Sequence, residues 1–423
     1  MEKIILARKR PFKTQPGYLR LPCILIVCFT LMAAPFKVRG EDFQYIHRTG
    51  DKYRIISVVK EDVYIDKKIS HRAEILNRIA VEVTDVKNGR GSHKAVFQTS
   101  ERAAFVSIGA QAVNSFEWSR EYESEFERDR LGYISIDPKY YMPVVRNVPV
   151  FPGKNLREGE RWRADGHEMH DFRDSFGIER PYRIPFSANY VFLGERQWKG
   201  QSYPAFSVSY RIITNPQPVR GLVYPRRITG SSDQIVYWDN EKGQPAAYEE
   251  TFRMMFEMSN GRTIEYTGTA EAEIVESEIM DKDKLVSEIA EVIEKMGIND
   301  TNVRAADEGI TISLEDIKFL ADSDVLLPEE KLKLNKIADI LKLYPDRDIM
   351  VSGHTALAGT AEGRMKLSLD RAKAVTDYLL SLGVRTADRA VVRGFGAEKP
   401  VADNRTEEGM RKNRRVEITI LEN

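Results

Sequence analysis

The sequence predicts a multidomain protein: all-β antiparallel N-terminal and central modules, followed by an α/β domain with helices packed on a mixed sheet. Three observations carry this. Hydrophobic residues alternate with period two up to about residue 277, strand and helix patterns alternate after it, and 423 residues accommodate about two to four domains. The composition, 42% hydrophobic and 30% charged, supports sizeable cores and excludes a mostly disordered chain or a polytopic membrane protein. The formal charge of zero hides an asymmetry. Residues 1–40 hold eight cations and one acid; without them 56 basic and 63 acidic residues remain, a net charge of −7. An acidic balance argues against nucleic acid as the partner.

The leader is the first element. The only long apolar run, Leu21 to Phe36, follows a basic stretch from Lys3 to Arg20. Sixteen residues are short for a membrane span, which needs about 20. The run fits the core of a signal peptide over residues 1–40, with Val38-Arg39-Gly40 as the cleavage site before Glu41. An uncleaved anchor is the competing reading. A lipoprotein processed at Cys28 fits less well, because Val27 is β-branched and the apolar run continues past Cys28. Cys23 and Cys28 are the only cysteines, so the mature chain has no disulfide, thiolate metal site or cysteine nucleophile.

Residues 41–147 and 148–277 read as two β-rich modules. Phe252, Met254, Phe256 and Met258 alternate with polar neighbours before Asn260-Gly261, and Ile264, Tyr266, Gly268, Ala270, Ala272 and Ile274 alternate after it, a hairpin with one buried face. Phe206 to Ile212 and Ile235 to Trp238 repeat the pattern, separated by turns at Trp198-Lys199-Gly200 and Asn240 to Gly243. Pro143, Pro149 and Pro152 each remove a ladder donor and mark a soft boundary near residue 148. One continuous sheet system is the alternative. A transmembrane barrel is disfavoured by ten prolines between Pro138 and Pro225 and by the charged runs near 122–130 and 167–176, which interrupt amphipathic strands.

Residues 278–423 change character. Leu285, Ile289, Val292 and Met296 form a helical stripe closed by Gly297. A strand follows over Ile310 to Phe319, and Pro328 opens a helix with Leu334, Ile337, Ala338 and Leu341 on one face. Ile349 to Gly353 is a strand, and Leu369, Ala372, Val375, Leu379 and Leu382 mark a long helix before Gly383. Strands at Val391 to Arg393 and Val416 to Leu421 complete an α/β sandwich.

Four segments here, in order, resemble the OmpA-like peptidoglycan-binding domain: FLADSDVLLPEEKLKLNKIADILKLYP (319–345), VSGHT (351–355), LSLDRAKAVTDYLLSLGV (367–384) and GFGAEKPVADNRTEEGMRKNRRVEITI (394–420). The whole chain resembles spirochaete-type envelope proteins that carry such a C-terminus. The resemblance implies a site for the free diamino acid of a peptidoglycan stem peptide. Holding that zwitterion takes an anionic acceptor for the ammonium and a planar cation for the carboxylate. The family supplies an Asp after Gly-His-Thr and an Arg in the signature helix. Here Arg371 matches, and Ser368 reads as an N-cap that places Arg371 in the first helical turn. The Asp position is Ala356, and the family's Asn before Leu-Ser is Arg364. Glu362 and Asp370 are the candidate substitute acids. Losing one charge-assisted bond removes about 1.5–3 kcal/mol, one to two decades of affinity.

The implied ligand-binding set is therefore Arg371, His354, Thr355, Ala356, Arg364, Asn413 and Arg415, with Asn413 and Arg415 expected mainly to brace the loop. No catalytic residue, metal site or cofactor is expected. The one candidate metal pair, His167 and His170 beside Asp165 and Asp171, needs a helix to converge, and the stretch lacks helical periodicity. The expectation is a non-enzymatic, exported envelope protein, periplasmic or outer-membrane associated. Peptidoglycan is its weakened partner, and the β modules contact other envelope proteins. The alternative is a degenerate domain serving as a structural or protein-interaction module.

Overall fold

The computed structural model describes residues 40–105, 115–218, 223–276, 280–315, 317–319 and 323–422. The leader and both cysteines lie outside the described residues. The β-rich part contributes β1 (Lys52–Ile65), β2 (Lys68–Lys87), β3 (Arg90–Phe105), β4 (Phe116–Arg128), the short β5 (Ile134–Ile136) and β6 (Val145–Arg146), and β7 (Arg161–Phe172). A one-turn α1 (Arg173–Phe176) leads to β8 (Ile178–Trp198), β9 (Gln201–Thr214), β10 (Pro225–Asp239), β11 (Gln244–Met258) and β12 (Thr263–Glu276).

The long strands form one antiparallel sheet in the order β4-β3-β2-β1-β12-β11-β10-β9-β8-β7. Strands from both sides of residue 148 meet where β1 pairs with β12, from Tyr53 opposite Glu276 to Ile65 opposite Ile264. Several connections are tight turns with positive φ, which match the right-handed twist of the strands they join. Lys199 and Gly200 have φ of 45° and 85°, and Asn88 and Gly89 have 52° and 74°. Asp171 on β7 accepts from Arg120 Nη1 and Tyr122 Oη of β4, each at 2.9 Å, so side chains join the two ends of a curled sheet.

The charged run near 122–130 does not interrupt β4, whereas the run 167–176 does hold a break, α1, between β7 and β8. In β4, Ser124 and Phe126 are buried while Glu123, Glu125 and Glu127 are exposed, ordinary alternation on a half-buried strand. His167 and His170 lie on β7, three residues apart and hence on opposite faces, so the imidazoles do not converge. Inside the curl, Phe43 packs on Phe151, Phe192 and Phe206 at ring-centroid distances of 5.5, 5.1 and 5.9 Å.

The C-terminal part contributes α2 (Lys282–Lys295), β13 (Thr301–Ala306), β14 (Gly309–Glu315), α3 (Pro328–Lys342), β15 (Ile349–Gly353), α4 (Ala361–Ser381), β16 (Ala390–Gly394), α5 (Glu407–Asn413) and β17 (Arg415–Leu421). The sheet order is β13-β14-β17-β15-β16, with β15 and β16 parallel and the other pairs antiparallel. Leu334, Ile337 and Leu341 of α3 and Ala372, Val375 and Leu379 of α4 are buried against Ile312, Val351, Val392 and Ile418 of this mixed sheet. The opposite sheet face is covered too. Met350, Val391 and Leu421 pack with Leu76 and Phe116 of the β-rich part, and Val391 pairs with Phe116 in a parallel bridge. Arg78 Nη2 donates to Asp348 Oδ2 (2.6 Å), whose other oxygen accepts from Arg389 Nε (2.8 Å).

One boundary is corrected. Helix α4 begins eight residues before Leu369, with Thr360 as its N-cap accepting from Gly363 N (3.1 Å). Ser368 is interior: its hydroxyl donates to Met365 O (2.8 Å) and accepts from Gly396 N (2.9 Å). Serine serves either role, and here its back-bond inside the helix won. Arg371 therefore lies mid-helix, and the expected helix-terminus contribution at Arg371 does not exist.

Candidate functional site

The site forms where β15, α4, β16 and β17 converge. Close contact there requires glycine at the end of β15, since a Cβ on Gly353 would overlap the carbonyl oxygen of Ser368. The following turn is locked by backbone bonds. His354 N donates to Arg415 O (3.0 Å) and Thr355 N to Gly396 O (2.7 Å). Leu357 N donates to Asn404 Oδ1 (3.0 Å). Asn413 holds the facing loop: its Oδ1 accepts from Val401 N and Ala402 N at 2.8 and 3.0 Å, and its Nδ2 donates to Ala402 O at 2.8 Å.

Behind the turn lies a buried ionic cluster. Glu417 Oε1 accepts from Arg415 Nε (2.8 Å) and Oε2 from Arg304 Nη2 (2.9 Å). His354 Nε2 stands 3.6 Å from the same carboxylate, and its ring stacks on Phe395 at 5.0 Å. Burial would raise the Glu417 carboxyl, but the polar contact from His354 and the Arg415 guanidinium outweigh it and hold Glu417 well below the usual carboxylate range. Burial lowers the His354 pKa against the pull of Glu417, which keeps the imidazole neutral near pH 7. Phe395 also receives the Arg393 guanidinium, 4.3 Å above its ring, and Arg393 lies 4.2 Å over Trp118 of β4. Packed side chains thus run from the β-rich sheet to the His354 turn.

The structure brings His354, Thr355, Ala356, Asn413 and Arg415 together around this turn. Asn413 and Arg415 brace loops, as their residue types suggested. Thr355 Oγ1 is buried without a hydrogen-bond partner among the described residues, and Ala356 is buried beside it. Arg364, in the first turn of α4, folds back so that Nη1 donates to Gly359 O (2.5 Å). The Arg371 guanidinium stacks over Phe319 at 4.8 Å. Of the two candidate acids, Asp370 is held by Lys366 at 2.6 Å, and Glu362 is exposed in the first turn of α4. Sequence reasoning missed Glu417, Arg304 and Phe395. The signal for Glu417 was an acid between Val416 and Ile418, two residues from Arg415, in a strand that alternates polar and apolar residues; buried in a sheet, such an acid demands a cation.

Comparison with known proteins decides the family of this part. Residues 318–414 match the model of the OmpA family. This stretch is an OmpA family domain. The "Peptidoglycan-binding protein ArfA" of Mycobacterium tuberculosis H37Rv is 41% identical to the chain over 104 residues, 25% of this chain and 32% of that protein. The "Probable lipoprotein YiaD" of Escherichia coli K12 is 34% identical over 132 residues, 31% of this chain and 60% of that one. The chain thus spans about a third of the length of ArfA. A solved structure, "the cell wall anchor of the T6SS from Pseudomonas aeruginosa", is 28% identical, covering 32% of this chain and 96% of that one, with a TM-score of 0.29. The OmpA family domain occupies the C-terminal quarter, and the site built above lies almost wholly within it. Arg304, Arg415 and Glu417, and Trp118 of β4, fall outside the matched residues.

Proposed function

We propose that the chain is an exported, non-enzymatic cell-envelope protein whose OmpA family domain faces peptidoglycan through a binding site that has lost its acid. The carrying observation is the Gly353 to Ala356 turn. Its backbone is held by bonds from His354 N and Thr355 N, yet it offers the methyl group of Ala356 where a diamino acid ammonium needs an anionic acceptor. Arg371, stacked on Phe319, supplies the planar cation for the carboxylate end. Asp370 is already paired with Lys366, which removes it as a ready substitute. The relative named as peptidoglycan-binding supports the wall as partner. Half a clamp leaves binding one to two decades below a complete one.

The β-rich sheet, docked on the far face of the same domain, presents its remaining surface to other envelope proteins. Export through the leader places the whole molecule in the periplasm or at the outer membrane. Retention of the leaderless chain on purified sacculi tests the reading. Weak retention that rises with Ala356→Asp supports it. Absence of retention in both forms favours the competing reading, a spacer or protein-interaction module.

A further inference from the structure

The β-rich sheet encloses a cavity of about 340 Å³ on its inner face, within the size range of ligand pockets. Its floor follows from register. Phe97, Ile79, Ile55 and Ile274 lie directly opposite one another across β3, β2, β1 and β12 and share one pleated face. Met142 and Val145 of the connector between β5 and β7 close it from above.

The lining carries one cation, Arg128, and two acids, Glu250 and Glu273. Both acids already have partners. Glu250 Oε1 accepts from Ser232 Oγ (2.6 Å) and Gln234 Nε2 (3.3 Å), and Glu273 Oε2 accepts from Lys199 Nζ (2.6 Å). Arg128 differs. Its guanidinium lies 4.7 Å over the Tyr45 ring, its Nε is buried without a hydrogen-bond partner, and among the described residues no carboxylate pairs with it. A guanidinium shielded by aromatic rings, in a cavity whose floor is apolar at Phe97, Ile79, Ile55 and Ile274 and polar one row on at Thr99, Asn77 and Ser57, recognises an anion with an apolar body. With no second cation in the lining, the match is to a single negative charge.

We infer that this cavity binds a long-chain carboxylate, its head on Arg128 and its chain along the Ile55, Ile79 and Phe97 floor. The site is separate from the wall-facing site, and neither reading depends on the other.

The test uses the full chain without its leader and a dansyl-labelled undecanoic acid, whose fluorescence rises on entering an apolar site. Oleate should displace the probe, and oleyl alcohol, the same chain without the charge, should do so at least about tenfold less well. Arg128→Gln should weaken oleate about tenfold to hundredfold and leave oleyl alcohol unchanged, with the near-UV circular dichroism of the wild type. Ile79→Trp, which fills the floor, should remove binding of both. No probe signal in the wild type, or equal displacement by oleate and oleyl alcohol, overturns the inference. The wild-type comparison stands even if a variant fails to fold. Competition by dodecyl phosphate stronger than by oleate would also overturn it, pointing to a phosphate-headed ligand.

Discussion

Replacing Glu417 by Gln should destabilise the C-terminal domain by about 3 kcal/mol at pH 7. The Arg415 and Glu417 side chains are 3% and 9% exposed, so the substitution leaves a buried guanidinium without its counter-charge. Loss of one partner from a buried pair costs about 3–5 kcal/mol. The lower end applies because Arg415 Nη2 keeps its bond to Lys399 O (3.1 Å). Arg304 is 48% exposed and solvent answers for its charge, so Arg304→Ala should change stability by less than about 1 kcal/mol. The sign with pH follows from a carboxyl held low in the folded state. Its contribution is full above the unfolded pKa of about 4.3 and is lost as pH falls below it. The gap between wild type and Glu417→Gln should therefore be constant above about pH 5 and shrink towards pH 3. Urea unfolding followed by circular dichroism at several pH values measures this. A Glu417→Gln variant within about 0.5 kcal/mol of wild type at pH 7, with an unchanged acid limb, would refute the reasoning.

Three further outcomes are expected. Arg78→Ala, which removes one of the guanidiniums bonded to Asp348 at the junction of the two sheets, should cost about 2 kcal/mol by urea unfolding; a neutral result would mean that the remaining contacts hold the junction without it. A fragment from Met280 to the C-terminus should melt cooperatively but self-associate in sedimentation, because Met350, Val391 and Leu421 lose their cover; a monodisperse fragment would show that this face tolerates water. N-terminal sequencing of protein from the envelope fraction should read from Glu41, and recovery of Met1 would identify an uncleaved anchor.

Local pattern was legible, and long-range pairing was not. The β11–β12 hairpin announced itself because Asn260-Gly261 and the flanking alternation are neighbours in the chain. Nothing local tells that β1 pairs with β12, some two hundred residues away, so local pattern left two modules and one continuous sheet as alternatives, and strands on both sides of residue 148 share one sheet. The charged run of β4 misled for a related reason. The Glu residues of β4 looked like an interruption, yet they face solvent while Phe126 and Arg128 turn inward. Ser368 read as a helix cap, but the structure caps the helix at Thr360 and turns the Ser368 hydroxyl to Met365 and Gly396 inside it. Motif residues such as His354, Asn413 and Arg415 were legible in the sequence, and they meet around one turn. The site's electrostatics were not, since Arg304 and Glu417 meet only across β13, β14 and β17.

Retention on purified sacculi tests the central claim most directly, comparing the leaderless wild type with Ala356→Asp, alone and combined with Arg371→Ala. A restored acid beside an intact Arg371 should raise retention about tenfold to hundredfold, and Arg371→Ala should abolish the gain because a lone acid cannot hold the carboxylate. Tight wild-type retention that Ala356→Asp leaves unchanged would contradict the account and show that another acid already fills the place of the missing one.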